Sequence, residues 1–328
     1  LQLPPKETDV TDAAALSPVT SIADLPAQSA GQPASKAESR ARYFNSGNAF
    51  NVRLPAVPNA VFVDEPRRAL DPATPTGLIA CDASAAMQCS FPATAPLVLA
   101  RYARIRAGAQ LQTDFVCSGA IFFVIQGHGQ TEAGDETIHW RQGDLFMAPG
   151  DHAQRHIAID DDAVLWVVTN EPQLAFENLR APAPGNAPSG LVHYPAAEID
   201  RQLETLYTVG SSDEIAGLAL IFSSDQQAAG RNILPSLTAA MNSLPPGGQQ
   251  RAHRHNSVAV SLVVDGDNCF SMIDGERKDW APWATTITPP VSAHSHHNDG
   301  DRLAKFLIVQ DGGLYYHART MGFEFTDT

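Results

Sequence analysis

Gly247-Gly-Gln-Gln-Arg251-Ala-His253-Arg254-His255-Asn-Ser-Val258-Ala-Val-Ser261-Leu-Val-Val264 is the stretch from which the fold is read. A Gly-Gly turn leads into a short polar strand, and a β-branched run of strand length follows. In extended backbone, residues two apart share a face, so His253 and His255 aim their imidazoles at one point. His294 lies one hairpin further on, in Pro289-Pro290-Val291-Ser292-Ala293-His294-Ser-His296-His297-Asn298. Three neutral nitrogens with open positions beside them suit a borderline divalent ion such as Fe(II), Mn(II), Ni(II), Cu(II) or Zn(II). His253, His255 and His294 are therefore the candidate metal ligands.

Working outward, strand-length runs recur in two similar blocks. The first, residues 96–175, contains Pro96–Ile105, Gly119–Ile125, Gly143–Pro149 with its Pro-Gly turn, and Ala163–Val168. The second, residues 236–328, repeats this order through Thr238–Leu244, Val258–Val264, Thr285–Thr288 and Arg302–Val309, with hairpin signals at Asp265-Gly266 and Asp274-Gly275. Many short strands at even spacing predict an all-β chain of two jelly-roll barrels. Residues 1–40, rich in Ala, Ser, Pro, Asp and Thr, read as a mobile or strapping N-terminal arm, and 41–95 as an irregular segment packed on the barrels. Between the blocks, 176–235 reads as a linker with a short helix over Pro195–Leu206.

The histidine motifs resemble the two signatures of the cupin superfamily, Gly-x5-His-x-His-x3,4-Glu-x6-Gly and Pro-x-Gly-x2-His-x3-Asn. Gly247, His253, His255 and Gly266 match the first; Pro289, His294 and Asn298 match the second. Two positions depart from them: the usual Glu ligand is Ala259, and the Gly of the second motif is Val291. Loss of that Glu looks most like the gentisate, salicylate and 1-hydroxy-2-naphthoate ring-cleaving dioxygenases, which are two-barrel cupins. The resemblance implies Fe(II) as cofactor, a hydroxylated aromatic acid and O2 as substrates, and a ring-opened product. In that family the metal-bearing barrel comes first; here the order is reversed. The first block has Thr113-Asp-Phe115 in place of His-x-His, so it reads as a degenerate barrel whose His152 and His156 are loop or rim residues.

His296, two residues after His294, is expected to face the cavity beside the metal, where it could handle a phenolic proton or position O2. The family's carboxylate-binding Arg falls on Ser261, which offers a hydrogen bond but no cationic fork. Ser261, Arg251 and Trp283 are thus the candidate substrate contacts, with Trp280 and Trp283 weighed as an aromatic wall against ordinary core packing. Arg254, between two inward ligands, is expected to point outward, and Asn298 to fix its loop. The rival readings are another metal-dependent cupin enzyme (oxidase, isomerase or decarboxylase) and a non-catalytic cupin that binds a small ligand.

Bulk properties narrow the field further. A formal net charge of −14 disfavours nucleic acid and anionic membrane surfaces as partners. There is no apolar run of membrane-spanning length. The first residues lack the basic-then-apolar order of a signal peptide. The four scattered cysteines read as a reduced set, which places the chain in the cytoplasm. A long arm with apolar pieces needs a surface to cover, so a homo-oligomer is expected.

Overall fold

The computed structural model describes residues 20–50, 52–210 and 216–326. The chain divides into Leu1–Leu54 and Pro55–Thr328. Residues 1–19 of the N-terminal arm lie outside the described residues. In the rest of the first unit, Gln28–Ser29 pairs with Arg42–Tyr43 around a one-turn helix, Lys36–Ser39, capped by the Ser35 hydroxyl. Phe44, Phe50, Val52 and Leu54 are exposed there.

In the larger unit the alternating runs become two β-barrels, each of two antiparallel sheets. The first barrel has a six-stranded sheet in the spatial order Val192–Tyr194, Leu145–Pro149, Gly119–Gln126, Ala163–Thr169, Leu99–Ile105, Gly77–Ala80. Its second sheet runs Gln110–Thr113, Gln154–Ala158, His128–Ala133, Glu136–Arg141. The second barrel repeats the plan. One sheet orders Ala219–Phe222, Thr238–Leu244, Ala304–Gln310, Ala259–Asp265, Thr285–Thr288 and Val61–Phe62. The other orders Glu276–Asp279, Cys269–Ile273, His294–Asn298, His253–His255 and Phe323–Phe325.

The six-stranded sheets are apolar on both faces, as strands buried on both sides must be. Their outer faces meet in one core: Tyr102, Ile121, Phe123 and Trp166 from the first barrel, Met241, Val260, Leu262 and Leu307 from the second. Thr285 satisfies the polar groups trapped in this seam, lying 2.7 Å from Tyr102 Oη and accepting the Trp166 indole N–H at 2.9 Å. The segment from Pro55 onward is more regular than its proline content suggests. Val61–Phe62 extends the second barrel's sheet and Gly77–Ala80 extends the first's. The linker helix runs Ala196–Val209 and buries Ile199 and Leu203 in the shared core.

The barrel interiors differ. The first is filled: Phe122 stacks on Phe146 at 4.7 Å, with Phe115, Val124, Leu165 and Trp140 around them. In the second, Leu244, Cys269, Ala304 and Phe306 form a small plug at one end. The remaining space is a cavity of about 550 Å³ reaching the three histidines.

Candidate metal centre

The three predicted ligands converge. One ring nitrogen from each of His253, His255 and His294 lies within 4.8 Å of the others, and all three residues are buried. His253 and His255 share a face of their short strand, as alternation requires, and His294 is the register partner of His253 on the neighbouring strand. The strand Phe323–Phe325 pairs on the other side, stacking the Phe323 ring on His253 at 5.2 Å.

Each ring is oriented by its own Nδ1. His253 Nδ1 donates to the Arg251 carbonyl at 2.8 Å, His255 Nδ1 to Ser257 at 2.9 Å, and His294 Nδ1 to Ser292 at 2.9 Å. A proton on Nδ1 leaves Nε2 with a bare lone pair, the tautomer a metal ligand needs. The Gln310 amide nitrogen, 3.2 Å from His255 Nε2, agrees with this, since an amide N–H requires an acceptor. Burial keeps the rings neutral, lowering His255 to about 4 and His294 to about 3, with neighbouring imidazoles adding to the effect. This donor set fits a divalent ion held on one face with open positions toward the cavity. Ala259, where cupins usually carry a glutamate, lines that open side.

Val291 shows how the glycine of the second motif was dispensed with. It keeps a left-handed backbone, φ 60°, although it is β-branched. Its N–H donates to the His255 carbonyl at 2.7 Å, tying the His294 turn to the strand of the other two ligands.

His296 is buried, lines the cavity and lies next to the triad, with its ring centroid 5.8 Å from that of His294. Burial holds it neutral, its pKa far below the usual imidazole range. Its Nδ1 is 2.7 Å from Ser271 Oγ, which also accepts the Trp280 indole N–H at 2.9 Å. Trp280 therefore belongs to the site, whereas Trp283 packs against the seam core, its ring 6.4 Å from Phe123.

The other predicted contacts do not line the cavity. Arg251 lies over the Phe325 ring at 3.8 Å and serves the site through its carbonyl. Ser261 is buried two residues beyond Ala259 on the same strand face, past the cavity lining. Arg254 turns outward to Glu324 at 2.9 Å. Asn298 donates to the carbonyls of Leu244, Pro245 and Arg302 and so pins the loops below the site. Sequence reasoning missed Asn242, Thr238 and Gln310, which present polar groups to the cavity, and Arg231, the Arg or Lys among its described lining residues.

His156 corrects the reading of the first barrel. It is fully buried rather than at a rim, its pKa driven to about 3 by desolvation. His152, by contrast, sits in the turn against Asp151 at 2.6 Å. His156 Nδ1 is 2.8 Å from Thr131 Oγ1, which accepts the Trp140 indole at 2.9 Å. Its Nε2 is 3.0 Å from Thr113 Oγ1, and Thr113 donates to Gln154 Oε1 at 3.0 Å. The two barrels match at a constant offset of 140 positions here: 113 with 253, 131 with 271, 140 with 280, 154 with 294 and 156 with 296. Where the second barrel has His253, His255 and His294, the first has Thr113, Phe115 and Gln154, joined by hydrogen bonds and packing. A wide recess of about 850 Å³ outside this barrel, near His128, Arg141 and Asp160–Asp162, opens to solvent, and Asp162 there is already paired with Arg104.

No family model matches the chain. Over 80 residues it is 39% identical to gentisate 1,2 dioxygenase 1 of Aquipseudomonas alcaligenes, covering 24% of this chain and 22% of that protein. Over 95 residues it is 28% identical to the 5-nitrosalicylic acid 1,2-dioxygenase of a Bradyrhizobium species, covering 29% of this chain and 45% of that protein. The matches thus span less than half the length of these curated relatives. Among solved structures, the salicylate 1,2-dioxygenase of Pseudaminobacter salicylatoxidans superposes with a TM-score of 0.71 at 14% identity, over 84% of this chain and 90% of that one. The chain has a two-barrel β fold like that of a salicylate 1,2-dioxygenase, and part of its sequence is similar to gentisate and nitrosalicylate dioxygenases.

Proposed function

We propose that the chain is an Fe(II)-dependent dioxygenase that opens the ring of a hydroxylated aromatic acid, with O2 as co-substrate. The observation that carries this reading is the neutral three-histidine face, each ring turned so that Nε2 is bare, at the end of a cavity of about 550 Å³. Iron(II) bound by His253, His255 and His294 would supply the one-electron chemistry that lets O2 react with a closed-shell ring. The protein's own part is to bind, orient and exclude water. Ala240, Ile308, Met321 and Phe323 offer apolar contact for the ring, while Asn242, Gln310 and His296 surround its polar edge. Arg231, exposed at the cavity, supplies the cation missing from Ser261 and takes the carboxylate.

Two further properties belong to the same reading. The chain works in the cytoplasm: its four cysteines are all free, and no helix among the described residues is long and apolar enough to cross a membrane. It assembles as a homo-oligomer through the first unit, where Phe44, Phe50 and Leu54 are exposed.

The test is anaerobic loading with Fe(II), followed by oxygen-electrode assays with gentisate, salicylate and 1-hydroxy-2-naphthoate. Oxygen uptake matched mole for mole by loss of aromatic absorbance is expected with at least one. Carbon dioxide release without oxygen uptake would make it a decarboxylase, and binding without turnover a ligand-binding cupin.

A further inference from the structure

The first barrel carries a second copy of the polar chain behind His296, and there every hydrogen can be assigned. Gln154 Nε2 donates to the carbonyls of Pro149 and His152 at 2.7 and 2.8 Å, which fixes its Oε1 as the acceptor facing Thr113. Thr113 spends its one hydroxyl proton on that oxygen, so toward His156 it can only accept. His156 Nε2 must then carry the proton, and its Nδ1 is a lone pair receiving the Thr131 hydroxyl. The Trp140 indole, a pure donor, fills one lone pair of Thr131 Oγ1, and the Thr131 hydroxyl proton is left for His156 Nδ1. The order is fixed from end to end: indole to hydroxyl, hydroxyl to Nδ1, Nε2–H onward.

Trp280, Ser271 and His296 stand at the matching positions with distances of 2.9 and 2.7 Å, against 2.9 and 2.8 Å in the first barrel. The Ser271 hydroxyl proton has the same acceptor available, His296 Nδ1. We infer that Trp280 and Ser271 are positioning residues that hold His296 as the Nε2–H tautomer, opposite to the Nδ1–H tautomer of the three ligands, so that His296 meets the substrate as a hydrogen-bond donor and not as a base. One strand, His294–Asn298, thereby presents two imidazoles of opposite polarity to one cavity. His294 offers a lone pair and His296 offers a proton. The difference comes from what each Nδ1 touches: a carbonyl, which can only accept, or a hydroxyl, which has a proton to donate.

This inference rests on the proposed reaction only for the identity of what receives the hydrogen bond, an oxygen of the bound aromatic acid or of O2. The tautomer itself requires no substrate. It is read by long-range 1H–15N correlation on the zinc-loaded full chain, with the His296 signals identified by their loss in His296→Asn. The expected pattern is a protonated Nε2 and bare Nδ1 for His296, retained in Ser271→Thr, which copies Thr131, and lost in Ser271→Ala. With Fe(II) bound, Ser271→Ala should lower kcat/KM about 10-fold to 100-fold at unchanged metal content, and Ser271→Thr should restore it. His296→Gln, which keeps an N–H donor without a base, should retain more activity than His296→Ala. A protonated Nδ1 on His296 in the unmodified chain overturns the inference, as does a tautomer indifferent to Ser271→Ala. The expected tautomer with no oxygen uptake on any aromatic acid would leave the relay standing and remove the dioxygenase reading alone.

Discussion

His253 and His294 are register partners across an antiparallel ladder, their ring centroids 4.2 Å apart, and His255 reaches the same point from one pleat along. Two strands thus suffice to build the metal face, and the barrel core lies elsewhere. Replacing any one ligand by Ala should abolish metal retention and activity while the β circular dichroism spectrum persists. Full metal content in His294→Ala would point to His296 or His297 as the third ligand.

Ala259 is where a carboxylate would enter the open side of the site. Ala259→Glu should bind divalent metal more tightly, because it adds an anionic ligand, and should suppress oxygen uptake by taking a position that substrate needs. Metal titration and the oxygen electrode read the two effects separately. Increased turnover in this variant would refute the assignment of the open face.

Val291 carries backbone strain with no cavity contact of its own. Val291→Gly should relieve it, stabilising the fold by ~1 kcal/mol after the entropic cost of glycine. Thermal denaturation measures the gain, and a lower melting temperature would mean that the turn is not strained.

Acidity should destabilise the metal-free protein in a defined window. His156, lowered to about 3, and His255, lowered to about 4, stay neutral in the fold while the unfolded chain protonates near 6.5. Their stabilisation is complete above pH 6.5 and is lost as pH falls toward their folded values, at ~1.4 kcal/mol per unit for each such group. Asp311, buried and pushed up to about 6, works in the opposite sense, since the folded state binds its proton more tightly between about 6 and the ordinary carboxylate range. Denaturant titrations from pH 7 to 5 should show a falling midpoint, with a shallower slope in His156→Gln. An unchanged midpoint would mean that the buried rings titrate normally.

Arg231→Gln should raise KM for aromatic carboxylates about 10-fold or more and leave kcat nearly unchanged, as expected for a group that binds without reacting. An equal fall in kcat would place it at the reacting atoms instead.

The convergence of the three histidines was legible because strand alternation alone sets the direction of His253 and His255, and because the spacing from Pro289 to Asn298 marks a hairpin partner. The rest of the site depends on information that local sequence lacks. Asn242 and Gln310 are ordinary strand residues whose inward direction is set by barrel register. Phe323 reaches His253 through a pairing some seventy residues distant in sequence. His156 was misread as peripheral because Pro149-Gly150 marks a turn, while the strand after it, Gln154–Ala158, buries alternate residues. Of the two tryptophans, Trp283 stood as the candidate substrate contact, but it packs against the seam core, and Trp280 faces His296.

All three ligands lean on neutral backbone carbonyls, so no carboxylate partner offsets an ion's charge through these rings. An ion there would form a local positive focus inside a chain whose formal charge is −14. Far from the mouth, an anionic acid would meet net repulsion; only within about a Debye length would the focus and Arg231 prevail. Salt screens the distant repulsion more than the buried attraction. Capture of anionic substrates should therefore quicken with ionic strength, the opposite of the trend in enzymes whose surface charge draws substrate in.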